Sequence, residues 1–252
     1  MSTSQSGVVD HLHRIAPESH VGGFSFRDST FLFYALINAV ITPKSRILDF
    51  GAGRGVQGTN GNRFVRDLIN LKDRASHVTG VDVDQAVLEN PMVNDAYVID
   101  PGRPLPFEPS SFDIVYSDWV LEHVDDPRAF IREVERVLKP GGWFFGRTPN
   151  KFGLIAAGAS LVPNRLHTKT LRLLQPDREE QDVFPTRYRI NTLRAIRKHL
   201  PGDRWSNHST LVDTEVMYLA RIPILFAISE FIGRILPKRF RPVLFVIAQK
   251  RP

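Results

Sequence analysis

The stretch with the most chemical content is Asp49-Phe50-Gly51-Ala52-Gly53-Arg54-Gly55. Closely spaced glycines permit a sharp turn and let a ligand approach the backbone where a Cβ would block it. The acid in front of them constrains the ligand: a carboxylate aimed at that space repels a pyrophosphate and suits a cationic group. Gly53-Arg54-Gly55-Val56-Gln57-Gly58 also satisfies the GxGxxG spacing of dinucleotide loops. In that motif, however, the first glycine directly follows the strand and a helix N-terminus faces a pyrophosphate. Here Asp49 comes first, which argues against a nicotinamide cofactor.

Asp82, in Gly80-Val81-Asp82-Val83-Asp84, is the second informative acid. A carboxylate at the end of a strand can accept both hydroxyls of a ribose. Asp84 suits the cap of the following Gln85-Ala86-Val87 turn. Downstream, Asp118 and His123 are the candidate proton acceptors, in Ser117-Asp118-Trp119 and Leu121-Glu122-His123-Val124. His123 equally suits a role in ordering its own loop, and Trp119 reads either as a lid or as core. His167 and Arg187-Tyr188-Arg189 could meet an acidic acceptor or form a solvated face. No His/Asp/Glu spacing suggests a metal site, and the chain has no cysteine.

These residues need a scaffold that brings strand ends together. Arg46–Gly51, His77–Val83, Ala96–Ile99, Phe112–Ser117 and Trp143–Arg147 read as short apolar strands. Between them, Asn62 to Leu71 has helical spacing, as does Pro127 to Leu138, which stops at Lys139-Pro140-Gly141-Gly142. Strands alternating with helices predict an α/β fold with a doubly wound, mostly parallel sheet, whose ligands bind at the carboxyl ends of the strands. The organisation expected is an N-terminal helical segment over 1–45 and a cofactor-binding core over 46–150. An insertion or acceptor cap would follow over 151–190, and a C-terminal part over 191–252. That last part holds an amphipathic helix over 222–236 and a final strand over Pro242–Ala248.

The 252 residues carry a formal charge of +6. Residues 221–252 alone hold seven Lys/Arg and one acid, Glu230, so the rest of the chain is neutral. This argues against a body-wide nucleic-acid surface and leaves a local anionic partner such as lipid headgroups. The amphipathic segment has two readings, packing on the body or lying in a membrane interface. No run approaches the roughly 18 apolar residues of a spanning helix. The first twenty residues show no basic start followed by an apolar run, so no secretory signal is expected. With no cysteine, the chain suits a reducing, cytoplasmic setting, with the tail as its candidate contact with the inner face of the membrane.

Taken in order, ILDFGAGRG, GVDVD, LPFEPSSFDIVYSDWVLEHV and RVLKPGG resemble the class I S-adenosylmethionine-dependent methyltransferases. Within them the similarity is to the broad bacterial group that contains quinone-biosynthesis methyltransferases. The resemblance covers about residues 45–150 and implies a Rossmann-like, seven-stranded sheet. It further implies that Asp49, Gly51, Ala52 and Gly53 line the methionine part of the cofactor and that Asp82 holds its ribose. Val83 and Asp100 would flank the adenine, and Ser117 would face the methyl end. Family members often carry an acid–Ala pair before LPF, where this chain reads Asp100-Pro101-Gly102-Arg103-Pro104.

Methyl transfer from a sulfonium is an in-line displacement that needs alignment and exclusion of water. A carbon or phenolic nucleophile also needs a proton acceptor. Thr148-Pro149-Asn150 lacks the Asn/Asp-Pro-Pro-aromatic signature of enzymes that methylate base amines. A small-molecule or lipid-linked acceptor is therefore expected, and no nucleic acid. The competing readings are a non-catalytic module on the same fold and, from the GxGxxG spacing alone, a nicotinamide oxidoreductase. The oligomeric state is not legible.

Overall fold

The computed structural model describes residues 13, 16–55, 63–153, 185–214 and 223–252. His167 and most of the expected cap lie outside these residues. The elements that matter below are α1 (Ser29–Asn38), β1 (Arg46–Phe50), α2 (Arg63–Ile69), β2 (His77–Asp82), β3 (Asp95–Val98) and β4 (Phe112–Asp118). They are followed by α3 (Pro127–Val137), β5 (Leu138–Pro149), α4 (Leu193–His199), β6 (Trp205–Asn207), β7 (Thr210–Val212), α5 (Pro223–Ile235) and β8 (Val243–Lys250).

The sheet runs β3-β2-β1-β4-β5-β8-β6, with β7 also on β8. The first five strands are parallel, and β8 is antiparallel to its neighbours. The strand order reverses between β1 and β4, which opens the usual ligand crevice of such sheets. Among the described residues there are eight strands rather than the seven expected, and the reason is local. Asn207 pairs with Ala248 and Thr210 with Phe245, so β6 and β7 share one register on β8. At the break between them, the His208 N–H donates to the Ile247 carbonyl and the Ile247 N–H to Ser209 Oγ.

A second departure concerns Lys139-Pro140-Gly141-Gly142. Helix α3 does stop at Val137, but these four residues belong to β5, which is twelve residues long. Pairing jumps from Phe112–Leu138 to Ile114–Trp143, an irregularity that absorbs the extra residues. Gly142 is needed there, because a Cβ would sit 2.9 Å from the Asp113 carbonyl.

Two apolar layers cover the sheet. On one face, Leu48, Val115, Phe144 and Val246 pack with Phe130, Ile131 and Val134 of α3. On the other, Ile47, Val78, Ile114 and Phe245 pack with Phe33 and Ile37 of α1 and Leu68 of α2. Asp126 caps α3 by accepting the Arg128 and Ala129 N–H groups, and Asp28 caps α1 through Thr30 and Phe31. The Asp28 cap starts α1 on the α1–α2 face of the sheet, where Phe33 and Tyr34 enter the core.

Candidate active site

Asp49 and Tyr116 are register partners on β1 and β4, so they share the face covered by α1. The Tyr116 hydroxyl donates to Asp49 Oδ2 at 2.6 Å. Asp49 is 7% exposed. Burial pushes its carboxyl up to about 7; the Tyr116 hydrogen bond works against that shift, and the negative charges of Asp118 and Asp82 add to it. Burial likewise raises Tyr34 and Tyr116 well above the usual phenol value, so both remain neutral donors.

The turn after β1 is folded back onto β2. The Gly51 and Ala52 N–H groups both donate to the Val81 carbonyl, and the Gly53 N–H donates to Asp82 Oδ2 at 2.9 Å. Asp82 Oδ1 takes the Asp84 N–H, and Asp84 in turn caps the 3-10 turn Gln85–Glu89. Asn90, which is buried, donates from Nδ2 to the Ala52 and Gly53 carbonyls. Gly51 has φ +85°, and a Cβ on it would lie 2.2 Å from Val120 Cγ2. Gly53 has φ +50° with nothing within 4 Å of its Cβ position, so glycine there leaves a bare backbone edge. Val83, 42% exposed, follows Asp82 as an apolar surface at the rim.

Of the other two predicted cofactor residues, Asp100 directly follows Ile99, whose N–H donates to the Asp82 carbonyl, and Ser117 lies on β4. Asp100 is an exposed side chain that accepts the Gly102 N–H at 3.0 Å and lies 3.5 Å from Arg103. Ser117 follows Tyr116 on β4, so strand alternation turns it to the face opposite Asp49. It is fully buried there, and its Oγ has no hydrogen-bond partner. The hydroxyl therefore does not line the space bounded by Asp49 and the glycine turn.

Asp118 is the predicted proton acceptor that the geometry corrects. Its oxygens receive Arg147 Nε at 2.6 Å and Nη2 at 2.7 Å, and the Tyr34 hydroxyl at 3.3 Å. Both members of the pair are buried, at 1% and 7% side-chain exposure. Arg147 also donates to Thr30 Oγ1 at 2.6 Å, and its guanidinium lies over the Phe33 and Trp119 rings. A carboxylate chelated in this way is a structural counter-ion rather than a base. Trp119 adopts φ +59°, which a bulky residue rarely does, and its N–H donates to the Arg147 carbonyl. Trp119 is thus neither free lid nor plain core; it covers the ion pair at the end of β4.

His123 has its Nδ1 3.1 Å from the Pro185 carbonyl. A carbonyl only accepts, so Nδ1 carries a proton. The segment 185–190 straps across this loop. The Arg187 and Tyr188 N–H groups donate to the Glu122 carbonyl, Arg187 pairs with Asp125 at 2.9 Å, and Arg189 donates to the Asp125 carbonyl. Beneath the strap, the Thr148 hydroxyl donates to buried Glu122 at 2.8 Å and receives Asn191 Nδ2. Among the described residues, no group of His, Asp and Glu could hold a metal ion.

Sequence reasoning missed Tyr116, Asn90, Arg147 and the Glu122–Thr148–Asn191 chain. One of these carried a readable signal. An arginine inside the apolar run Phe144-Phe145-Gly146-Arg147 must have a buried partner, and a nearby strand-end acid is the natural one.

A sequence profile described as a methyltransferase domain matches residues 48–146, the span that holds the carboxyl ends of β1, β2, β3 and β4. A ubiquinone biosynthesis O-methyltransferase of Burkholderia vietnamiensis is 29% identical over 191 residues, 69% of this chain and 76% of that protein. Another, of Idiomarina loihiensis, is 30% identical over 141 residues, 48% of this chain and 53% of its own length. The chain therefore spans three quarters of one of these relatives and about half of the other. Among solved structures, a geranyl diphosphate C-methyltransferase from Streptomyces coelicolor A3(2) superposes with a TM-score of 0.58 at 15% identity, covering 99% of this chain and 84% of that one. That likeness is one of fold. The matched profile, these relatives and the doubly wound sheet agree on a methyltransferase domain over residues 48–146, an enzyme whose methyl donor is S-adenosylmethionine.

Proposed function

We propose that the enzyme methylates a hydroxyl oxygen of a small or lipid-linked acceptor, with the donor held across the carboxyl ends of β1, β2 and β4. The observation that carries this reading is the glycine turn folded onto Asp82 beside the buried acid Asp49. Asp82 and Asp118 both act on buried Asp49, and Arg147 is paired with Asp118, so the carboxylates of Asp49 and Asp82 suit a ligand with an ammonium and a sulfonium. When bound, S-adenosylmethionine supplies an electrophilic methyl on that sulfonium.

Asp49, with the backbone of Gly51, Ala52 and Gly53, would hold the ammonium end. Asp82, already fixed by two backbone N–H groups, would accept the ribose hydroxyls, and Val83 would lie against the adenine. Asp100 and the Ser117 hydroxyl are assigned no contact. Asp118 acts through Arg147 and Tyr34 by keeping the end of β4 in place. His123 is the proposed base, because it stands on the loop after β4 and its ring is anchored through Nδ1 to the Pro185 carbonyl. An oxygen nucleophile is favoured by the activity of the two relatives, both of them O-methyltransferases.

Equilibrium dialysis of S-adenosylhomocysteine against the wild type and Asp82→Ala, followed by turnover on a panel of aromatic hydroxyl compounds, tests the reading. Binding that Asp82→Ala weakens at least tenfold, with turnover that His123→Ala slows and Asp118→Asn with folded protein largely keeps, supports the assignment. Undiminished binding in Asp82→Ala would remove the donor site proposed here. Methyl transfer only to amines would remove the oxygen acceptor and leave the donor site standing.

A further inference from the structure

We infer that α5, with the turn that follows it, is a docking surface for a bilayer carrying anionic headgroups. Ile224, Ile228, Phe231 and Ile235 are 69%, 49%, 65% and 66% exposed. Their spacing of four, three and four residues aligns them as one stripe along the helix. Phe226, on the same helix, is fully buried, so α5 is seated on the body and offers its other face outward. Large apolar side chains scattered singly on a surface are ordinary, but a continuous stripe of four marks an interaction site. Among the described residues, no helix is long and apolar enough to cross a membrane, so contact of this kind would lie in the interface.

The stripe ends in positive charge. Lys238 and Arg239 are exposed directly after it, and the Arg239 guanidinium lies 4.8 Å from the Phe240 ring centre. Asn150 ties the following turn to the sheet by donating from Nδ2 to the Arg239 and Arg241 carbonyls. Gly153 packs so closely on Pro242 that a Cβ would lie 2.7 Å from its Cα. This closeness brings Lys151 and the 60% exposed Phe152 beside the basic turn. Lys151, Lys238 and Arg239 thus stand together as exposed bases on this side. A second copy of the chain would set base against base, whereas anionic headgroups would neutralise them, each Lys or Arg near such a surface contributing about 1 kcal/mol.

The location gives the contact a purpose. Pro149 pairs with Val243, so the basic turn and the Asn150–Gly153 turn stand at the carboxyl end of β5. The strand ends that carry Asp49, Asp82 and Asp118 open at this same edge of the sheet. A lipophilic acceptor leaving the bilayer would therefore meet the enzyme on the side of its site. This use rests on the proposed acceptor class, but the docking surface itself does not.

Flotation of the full chain with vesicles of phosphatidylcholine alone, or mixed with phosphatidylglycerol, tests the surface. The expected result is binding to the anionic vesicles only, weakened by salt. Lys238→Glu with Arg239→Glu should weaken it roughly thirtyfold or more, by the worth of two lost bases. Ile228→Glu with Phe231→Glu should weaken it to a similar degree, while S-adenosylhomocysteine binding and thermal melting stay unchanged. Equal binding to both vesicle types, or an apolar-stripe variant that binds as wild type, would overturn the inference. So would a stable dimer that the stripe variant converts to monomer.

Discussion

Replacing Asp49 by Asn should make the ligand-free enzyme more stable and its donor binding weaker. The carboxyl is raised from 3.8 to about 7 in the folded chain, chiefly by burial. A raised carboxylate penalises the fold wherever the unfolded chain is ionised. The penalty is therefore absent below about pH 4, grows as pH rises, and is complete above about pH 7. A gap of about three pKa units corresponds to about 4 kcal/mol. Asparagine has nearly the same shape, can still accept from the Tyr116 hydroxyl, and carries no charge to desolvate. In a chain of this size each kcal/mol moves the melting temperature by about 2–4 °C, so the variant should melt on the order of 10 °C higher near pH 8. That margin should shrink by about half or more near pH 5, where the wild-type carboxyl is already protonated in the fold. Thermal unfolding without ligand at both pH values reads the first effect, and dialysis of S-adenosylhomocysteine reads the second. Wild-type affinity should fall several-fold as pH drops from about 8 to about 6, because protonation removes the charge that holds the ammonium. The variant should bind weakly with little dependence on pH. A variant that melts at or below wild type near pH 8 would refute the burial argument. Unchanged affinity would refute the role in binding.

Arg147→Met should cost about 3–5 kcal/mol in urea unfolding, since it leaves Asp118 buried and unpaired. Adding Asp118→Asn should recover a large part of that loss, and a cost under about 1 kcal/mol would mean the pair is not as enclosed as its 1% and 7% exposures indicate. Asn90→Ala removes two hydrogen bonds to the glycine turn, each worth about 1 kcal/mol, and should raise the KM for the donor more than it lowers kcat. Equal loss in both constants would place Asn90 in the chemical step instead. Gly51→Ala should both destabilise and weaken donor binding, because it adds a Cβ 2.2 Å from Val120 at φ +85°. Pairing it with Val120→Ala should relieve the clash but not the backbone strain, so recovery should be partial in a melting series.

The residues proposed to hold the donor were legible because they sit where a strand pattern breaks. Asp49, the glycines after it and Asp82 each end an apolar run, and strand ends of a parallel sheet are where ligands bind. The five parallel strands followed from the alternation, but the far edge of the sheet did not. Trp205–Asn207 and Thr210–Val212 are too short to show a period of two, and only pairing with β8 makes them strands. Tyr116 was hidden as one apolar residue among others in Phe112–Ser117, since its hydroxyl matters only once β4 lies beside β1. Asn90 acts on carbonyls 37 and 38 residues earlier, a contact no local pattern encodes. Asp118 was misread for a related reason: a strand-end acid looks catalytic until its partner, 29 residues on, is placed against it.

That misreading exposes what the ion pair does for the site. Asp118 and Asp82 both push Asp49 upward, and burial has already brought its carboxyl to about 7. Were Asp118 a bare carboxylate in the same buried setting, its full charge would act on Asp49 through a poorly screening medium. Asp49 would then stay protonated at neutral pH and could not hold a cation. Arg147 chelates Asp118 with two hydrogen bonds and lies over Phe33 and Trp119, which sets a positive charge directly against that carboxylate. A paired Asp118 thus raises Asp49 less than a bare one would, and the Asp49 carboxyl stands at about 7. The unusual backbone of Trp119 fits this account, because the turn that lets its ring cover Arg147 also brings Val120 onto Gly51. One short loop thereby shields the ion pair on one side and shapes the glycine turn on the other, so the electrostatics of Asp49 and the space for the donor are set together.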